Sequence, residues 1–444
     1  QIGRVTARRP LINSTKEGLA VIEVRSACGG AVKDDRGAGW ERGGARLPLS
    51  GAFDAMLVRL LLKGFSGVPL GFALWDGTRL PSDTTKPVVW IHVHDRRSLL
   101  RLALNPDLQF GELYSAGRLD VEGSLVALGE AVYRVSLTST VRSPIAAVLR
   151  FVNRPRDNAE QQSRENIHHH YDIGNDFYRL WLDGQLVYTC AYFADPAMTL
   201  EAAQVSKMDY VCRKLDLRPG DRVAEAGCGW GALALHMARH YGAQVRAFNI
   251  STSQLAYARE RAQAEGLSDR VEFVEGDYRE IGGEYDAFVS IGMLEHVGRR
   301  HYRELGRVID RVLTPAGRGL IHSIGSSISA PLNPWIERHI FPGAYTPTVR
   351  EMMDVLEPFR FAVLDVENLR QHYARTLEHW LARYEQHVDE VRAMFDESFV
   401  RAWRLYLSGS VAAFRAGALQ LFQVLFNRTG AGDVARTRAV LDRD

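Results

Sequence analysis

Between Arg222 and Tyr241 a short apolar run closes on an acidic residue, turns through three alternate glycines and passes straight into a helical pattern: RVAEAGCGWG, then ALALHMARHY. Glycines suit such a junction because the turn is tight and a ligand there must approach the backbone closely. A strand that feeds a helix this abruptly needs parallel neighbours. The following sequence offers them in QVRAFNIS, VEFVEGD, YDAFVSIGML and GRGLIHSI, each separated from the next by a helical pattern. Alternation of this kind predicts an α/β domain with a parallel-dominated, Rossmann-like sheet covered by helices on both faces. The G-x-G-x-G spacing differs from the G-x-G-x-x-G pattern that seats a dinucleotide pyrophosphate at a helix N-terminus. A purely structural turn would also use these glycines.

Composition narrows the function class. Lys and Arg number 55 against 53 Asp and Glu, a formal charge of +2, which argues against a dedicated nucleic-acid binder. With 46% hydrophobic and 24% charged residues the chain can bury a real core, and its 444 residues suggest two or three domains. No apolar run approaches the ~18 residues of a membrane span. The four cysteines, Cys28, Cys190, Cys212 and Cys228, show neither disulfide density nor metal spacing, which fits a reducing cytoplasm. The chain opens on Gln1 with no apolar signal core behind it, so its start is read as trimmed.

The expected organisation has five parts. Residues 1–46, with eight glycines and no periodicity, read as flexible. Residues 47–140 read as a small α+β domain: Phe53 to Phe65 carries a helical apolar stripe, VVWIHVHD alternates like a strand, and Leu99 to Leu104 is helical. Residues 141–162 have linker composition, 163–430 form the larger domain, and 431–444 a tail. Phe395 to Phe426 reads as one or two aromatic-rich helices.

The glycine turn with Glu225 at its strand end resembles the first motif of class I methyltransferases that use S-adenosylmethionine. Further along, HYDIGNDFYRLWLD, YTCAYF, SIGMLEHVG, IHSIG, IFPG and HYARTLEHW stand in order. Together these motifs resemble the cyclopropane-fatty-acyl-phospholipid synthases and the related mycolic acid cyclopropane synthases. The likeness is strong over residues 168–423. It extends more loosely to residues 50–135, which resemble the small lipid-binding domain of the phospholipid-acting members.

The resemblance implies methyl transfer from S-adenosylmethionine to a cis double bond of an acyl chain, then loss of a proton from the added carbon and ring closure. It also implies a bound bicarbonate ion as the base. Glu295 would accept from the hydroxyl of that ion, His322 and Tyr373 would donate to it, and the backbones of Cys190 and Ile324 would complete its contacts. Cofactor contacts are implied at Tyr188, Thr189, Glu225, Gly227, Gly229 and Gly231. Others are implied at Asn249, Ile250, Gln254, Asp277 and Tyr278. Asn249 stands where a carboxylate is expected to grip the ribose, with Gln254 one turn later as a substitute, and Ala226 is a second mild departure. Asp277 is equally an ordinary capping residue.

Other readings stay open. Tyr171 is a candidate substrate contact near the head group, or a core residue. The triplet His168, His169 and His170 invites a metal, but adjacent histidines rarely share a face, and no metal is expected. An alkene inside a bilayer requires contact with the surface, for which Arg96, Arg97 and Arg101, the arginines between Arg142 and Arg156, and the apolar face of the Phe53 to Phe65 helix are candidates. The resulting expectation is a cytoplasmic protein held peripherally at the inner face of the cell membrane, acting on unsaturated phospholipid acyl chains. The resemblance also implies a homodimer. Two alternatives remain: a relative that leaves a methylene or methyl branch without closing a ring, and a lipid-binding protein with an inactive methyltransferase domain.

Overall fold

Two sheets organise the computed structural model, which describes residues 49–65, 68–82, 86–138 and 173–431. The glycine-rich residues 1–46, the arginine-bearing stretch 141–162, the three adjacent histidines, Tyr171 and the tail from 432 lie outside the described residues.

The smaller sheet belongs to the N-terminal module. Helix Ala52–Gly64 leads into β1 (Leu70–Leu74), β2 (Arg79–Pro81) and β3 (Val89–Val93). Helices Arg96–Leu104 and Pro106–Ser115, β4 (Leu119–Glu122) and helix Leu125–Thr138 follow. The strand order is β2-β1-β3-β4, with β1 and β3 parallel. β1 is buried along its whole length, and β3 alternates as VVWIHVHD predicts. The helices close over a core that includes Val58, Leu62, Phe72, Ile91, Leu99 and Leu113. Arg96 is no free cation for a head group: it donates two hydrogen bonds, 2.8 and 2.6 Å, to the buried Asp54.

The larger sheet contains β5 (Arg222–Ala226), β6 (Gln244–Asn249), β7 (Val271–Glu275), β8 (Tyr285–Ile291), β9 (Leu313–Ser326), β10 (Phe361–Asn368) and β11 (Leu419–Arg428). Its order is β10-β11-β9-β8-β5-β6-β7, and only β11 runs against the rest. Strand order reverses between β5 and β8, so a crevice opens beyond their C-terminal ends, where ligands bind in open α/β sheets.

One sequence reading needs correction. Phe395 to Phe426 is not helical throughout: helix Glu397–Ala416 stops at Gly417, which takes a positive φ of 82°, and Leu419–Arg428 is a strand inserted between β9 and β10. LQLFQVLFNR shows no strict alternation of apolar and polar residues because both its faces are covered, and such a strand cannot be told from a buried helix by periodicity.

The module is fastened to the larger part through helix Glu397–Ala416. Arg401 lies 4.2 Å over the Tyr114 ring and donates to the carbonyls of Tyr114 and Leu119 and to Asp120 Oδ1. Elsewhere the backbones approach so closely that a Cβ on Gly129 would stand 2.7 Å from that of Ala412. Replacing Arg401 by Met removes three hydrogen bonds while keeping the stem. Arg401→Met is expected to cost about 2 kcal/mol, read as a lower midpoint in urea, and Arg401→Lys recovers little because a point charge cannot span three acceptors.

Candidate active site

The glycine turn lies at the C-terminal end of β5, held by neighbouring backbone. Gly227 and Cys228 N–H both donate to the Phe248 carbonyl, at 2.9 and 3.1 Å, and Gly231 N–H donates to Cys228. Gly227, Gly229 and Gly231 all have positive φ, at 83°, 53° and 81°. A Cβ on Gly231 would stand 2.6 Å from the Phe273 ring, whereas one on Gly229 would meet nothing within 4 Å. Gly231 is thus required for packing, and Gly229 clears the wall of a cavity.

That cavity has a volume of about 470 Å³, ample for a small ligand. It runs from Gly229, Asn249 and Gln254, past Glu295, Ile324 and Tyr373, to Leu137, Ile328 and Leu332. Tyr188, Thr189, Glu225 and Gly227 also line it. The structure therefore gathers ten of the sequence-read residues on one cavity.

The cofactor end contains two unmet buried atoms, Glu225 Oε2 and Gln254 Nε2. Asn249 is committed to the protein at both ends: its Nδ2 donates to Gly229 O (3.2 Å) and Gln254 Oε1 (2.8 Å), and its Oδ1 accepts from Ile250 N–H (2.9 Å). It cannot replace a ribose-gripping carboxylate. Its bond to Gln254 instead turns the free amide nitrogen of that residue outward, as a donor for a hydroxyl. An acceptor at Glu225 and a donor at Gln254 fit the ammonium and ribose ends of S-adenosylmethionine.

At mid-cavity, Glu295 Oε1 accepts from Ile324 N–H at 2.6 Å while its Oε2 is buried without a partner. Burial raises the Glu295 pKa to about 7, opposed by the Ile324 N–H. His322 is buried on β9, two residues before Ile324, and is not itself on the cavity wall. Its Nδ1 lies 3.0 Å from Gln423 Nε2, its Nε2 has no partner, and burial holds its pKa well below the ordinary value. Unmet atoms on a carboxyl and an imidazole are what a small anion with a hydroxyl would satisfy. Tyr373 stands on helix Arg370–Gln386, its ring 4.6 Å from Phe414.

Other sequence-read residues lie elsewhere. Cys190 is buried off the cavity wall; its thiol donates to Ala191 O at 3.1 Å, and burial pushes its pKa up, so it is no thiolate nucleophile. Asp277 caps the turn 278–280 and is bound to Arg279 Nη1 at 3.0 and 3.1 Å, and neither it nor Tyr278 reaches the cavity wall. Ile250 and Gly231 also stand behind the lining. Among the described residues no cluster of three or more His, Cys, Asp or Glu is placed to hold a metal, and no helix is long and apolar enough to cross a membrane.

The structure adds residues that sequence reading missed. Lys207, on helix Leu200–Leu215, lines the cavity fully buried and donates to Thr189 Oγ1 at 3.1 Å. Burial lowers its pKa to about 8 and raises that of Glu225 to about 8, while the attraction between the two opposes both shifts. Gln204, one turn earlier, donates to Thr189 O at 2.9 Å and so steadies YTCAYF. Both share the apolar stripe of their helix with Leu200, Ala203 and Val211, and a polar residue in that register was the available signal.

Fold and glycine turn together define a class I S-adenosylmethionine-dependent methyltransferase. The family model described as mycolic acid cyclopropane synthetase matches residues 158–424, and one described as a domain of unknown function matches 57–143. The cyclopropane-fatty-acyl-phospholipid synthase of Escherichia coli strain K12 is 37% identical over 74% of this chain and 85% of its own length. A tuberculostearic acid methyltransferase of Mycobacterium tuberculosis is 34% identical over 87% of this chain and 94% of its own. The crystal structure of a mycolic acid cyclopropane synthase complexed with SAH and CTAB superposes with a TM-score of 0.57 at 28% identity, covering 60% of this chain and 98% of that one. The chain belongs to the mycolic acid cyclopropane synthetase family.

Glu295 has a measurable cost. Its folded pKa, about 7, lies above the ordinary 4.5, so the native state holds a proton that the unfolded chain gives up. Stability from this group is complete at acid pH and declines as pH rises through that window, by on the order of 3 kcal/mol at most. Glu295→Gln keeps the acceptor for Ile324 and carries no charge. It is expected to melt higher than the parent near pH 8 and to lose that advantage near pH 5, which calorimetry at the two values would check.

Proposed function

We propose that the chain is a cyclopropane-fatty-acyl-phospholipid synthase, adding a methylene from S-adenosylmethionine across the cis double bond of a phospholipid acyl chain. The observation that carries the reading is the single cavity that joins the glycine turn, the unmet oxygen of Glu295 and an apolar mouth. Bound S-adenosylmethionine would supply an electrophilic methyl group, and bound bicarbonate a base.

The work of the chain is to hold and to exclude. An alkene is a weak nucleophile, so it must be pressed against the methyl in a dry slot. Tyr188, Trp230, Phe341, Tyr406 and Phe414 wall the cavity with rings, whose faces favour the positive charge that develops on the acyl chain. Proton loss from the transferred methyl then lets the third carbon–carbon bond close. Glu295, fixed by Ile324, would accept from the hydroxyl of the bound ion through its other oxygen, and His322 and Tyr373 would donate to that ion. Cys190, which stands off the cavity wall, would contribute through its backbone.

Substrate delivery points to the N-terminal module, which we take as residues 47–140. Phe53, Met56 and Leu60 are exposed on one stripe of helix Ala52–Gly64, with Arg59 and Lys63 exposed beside them, and Arg97 and Arg101 exposed on the adjoining helix. Apolar and basic groups on one surface suit the anionic face of a membrane. Leu137, at the end of the module, lines the cavity mouth. A homodimer is part of the reading.

The likeness to tuberculostearic acid methyltransferase supports a second product, a branched chain without a ring. Incubation with S-adenosylmethionine and vesicles of unsaturated phospholipid, followed by mass spectrometry of the fatty esters, separates the two. A gain of one CH₂ with the double bond gone and a ring formed is expected; a retained or reduced double bond selects the branch, and unchanged lipid defeats both. Glu295→Gln is expected to lower kcat by about 10²-fold with S-adenosylmethionine affinity unchanged, and normal turnover would remove the bicarbonate assignment. Replacing Phe53, Met56 and Leu60 by Ser should weaken co-sedimentation with anionic vesicles by about tenfold or more.

A further inference from the structure

We propose that Gln423 is a positioning residue that fixes the proton of His322 on Nε2 and so makes a neutral imidazole a hydrogen-bond donor to the anion. The inference rests on the bicarbonate reading for its consequence in turnover, though not for the tautomer itself.

The register of the sheet creates the pair. β11 runs antiparallel to β9 with Gln423 directly opposite His322, so both side chains leave the sheet on the same face. Gln423 is wholly buried, and its Nε2 lies 3.0 Å from His322 Nδ1. A neutral imidazole carries one N–H and one lone pair, and whichever partner meets Nδ1 decides which nitrogen holds the proton. An amide N–H facing Nδ1 demands the lone pair there. The proton is left on Nε2, the atom without a partner in the protein.

Most ring nitrogens that orient a working histidine meet a carbonyl or a carboxylate, which places the proton on the side of that partner. Such a partner here would turn a lone pair toward the anion, and the two would repel. Double protonation is no escape, because burial and the charges of Lys207 and Lys214 hold the ring neutral. Rotating the Gln423 amide by half a turn would leave its two N–H groups unmet in an apolar interior. The present orientation meets one of those N–H groups at Nδ1 and leaves the carbonyl oxygen unmet, the less costly omission. Glutamine is thus the residue that this position requires, for the end of it that donates.

The test uses the full chain labelled with ¹⁵N-histidine, with His322→Gln to assign the signal. Wild type is expected to show a pyrrole-type Nε2 and a pyridine-type Nδ1 at His322. Gln423→Glu should move the proton to Nδ1, and Gln423→Leu should give a mixture. Both variants should retain affinity for S-adenosylmethionine by calorimetry while kcat on unsaturated vesicles falls about 10- to 100-fold. A wild-type ring protonated on Nδ1 overturns the proposal without any variant having to fold. So does a Gln423→Leu protein with an unchanged ring spectrum and unchanged kcat. If the ring behaves as expected but wild-type turnover is indifferent to added bicarbonate, the tautomer assignment stands and the bicarbonate reading falls.

Discussion

A carboxyl group shut away from water needs something to hold it, and Glu295 is held by one backbone N–H, that of Ile324, at 2.6 Å. The bond joins the short helix Leu294–Val297, which follows β8, to β9, the next strand of the sheet. Satisfying one oxygen fixes the direction of the other. The remaining oxygen of Glu295 is an unmet polar atom on the wall of an otherwise aromatic cavity, a wall that Tyr373 shares. Desolvation makes that oxygen costly while it is unmatched.

The glycine turn and the parallel strands were legible because both impose local rules: a turn that needs positive φ selects glycine, and short apolar runs alternating with helices imply parallel pairing. β11 was not legible, since its two covered faces erase the period that marks a strand. Within the site, residues set into ordered motifs were readable through the family they resemble. Lys207, Gln204 and Gln423 were not. Each is a polar side chain on an otherwise apolar stripe or strand, and its meaning depends on an atom elsewhere in the chain: Thr189 for the first two, His322 for the third. Asp277 shows the converse. Its position after the third strand suggests an adenine contact, yet the carboxylate is taken by Arg279 two residues on. Sequence position cannot reveal that a neighbour has already claimed the group.

The second departure in the cofactor half has a similar explanation. Asn249 looks like the loss of a carboxylate, but in the folded chain it is a relay: by donating to Gln254 Oε1 it decides which end of that amide faces the cavity. Asn249 with Gln254, and Gln423 with His322, use one device twice, an amide whose two unlike ends set the polarity of the next group along.

Helix Glu397–Ala416 has two tenants. Tyr406, Gly409, Ser410 and Ala413 form part of the cavity wall, while Arg401 and Ala412 bear the N-terminal module. A helix packed on both sides couples its neighbours, so the width of the cavity and the seating of the N-terminal module are linked. A substitution that reseats the module therefore bears on the gauge of the cavity from outside the larger sheet.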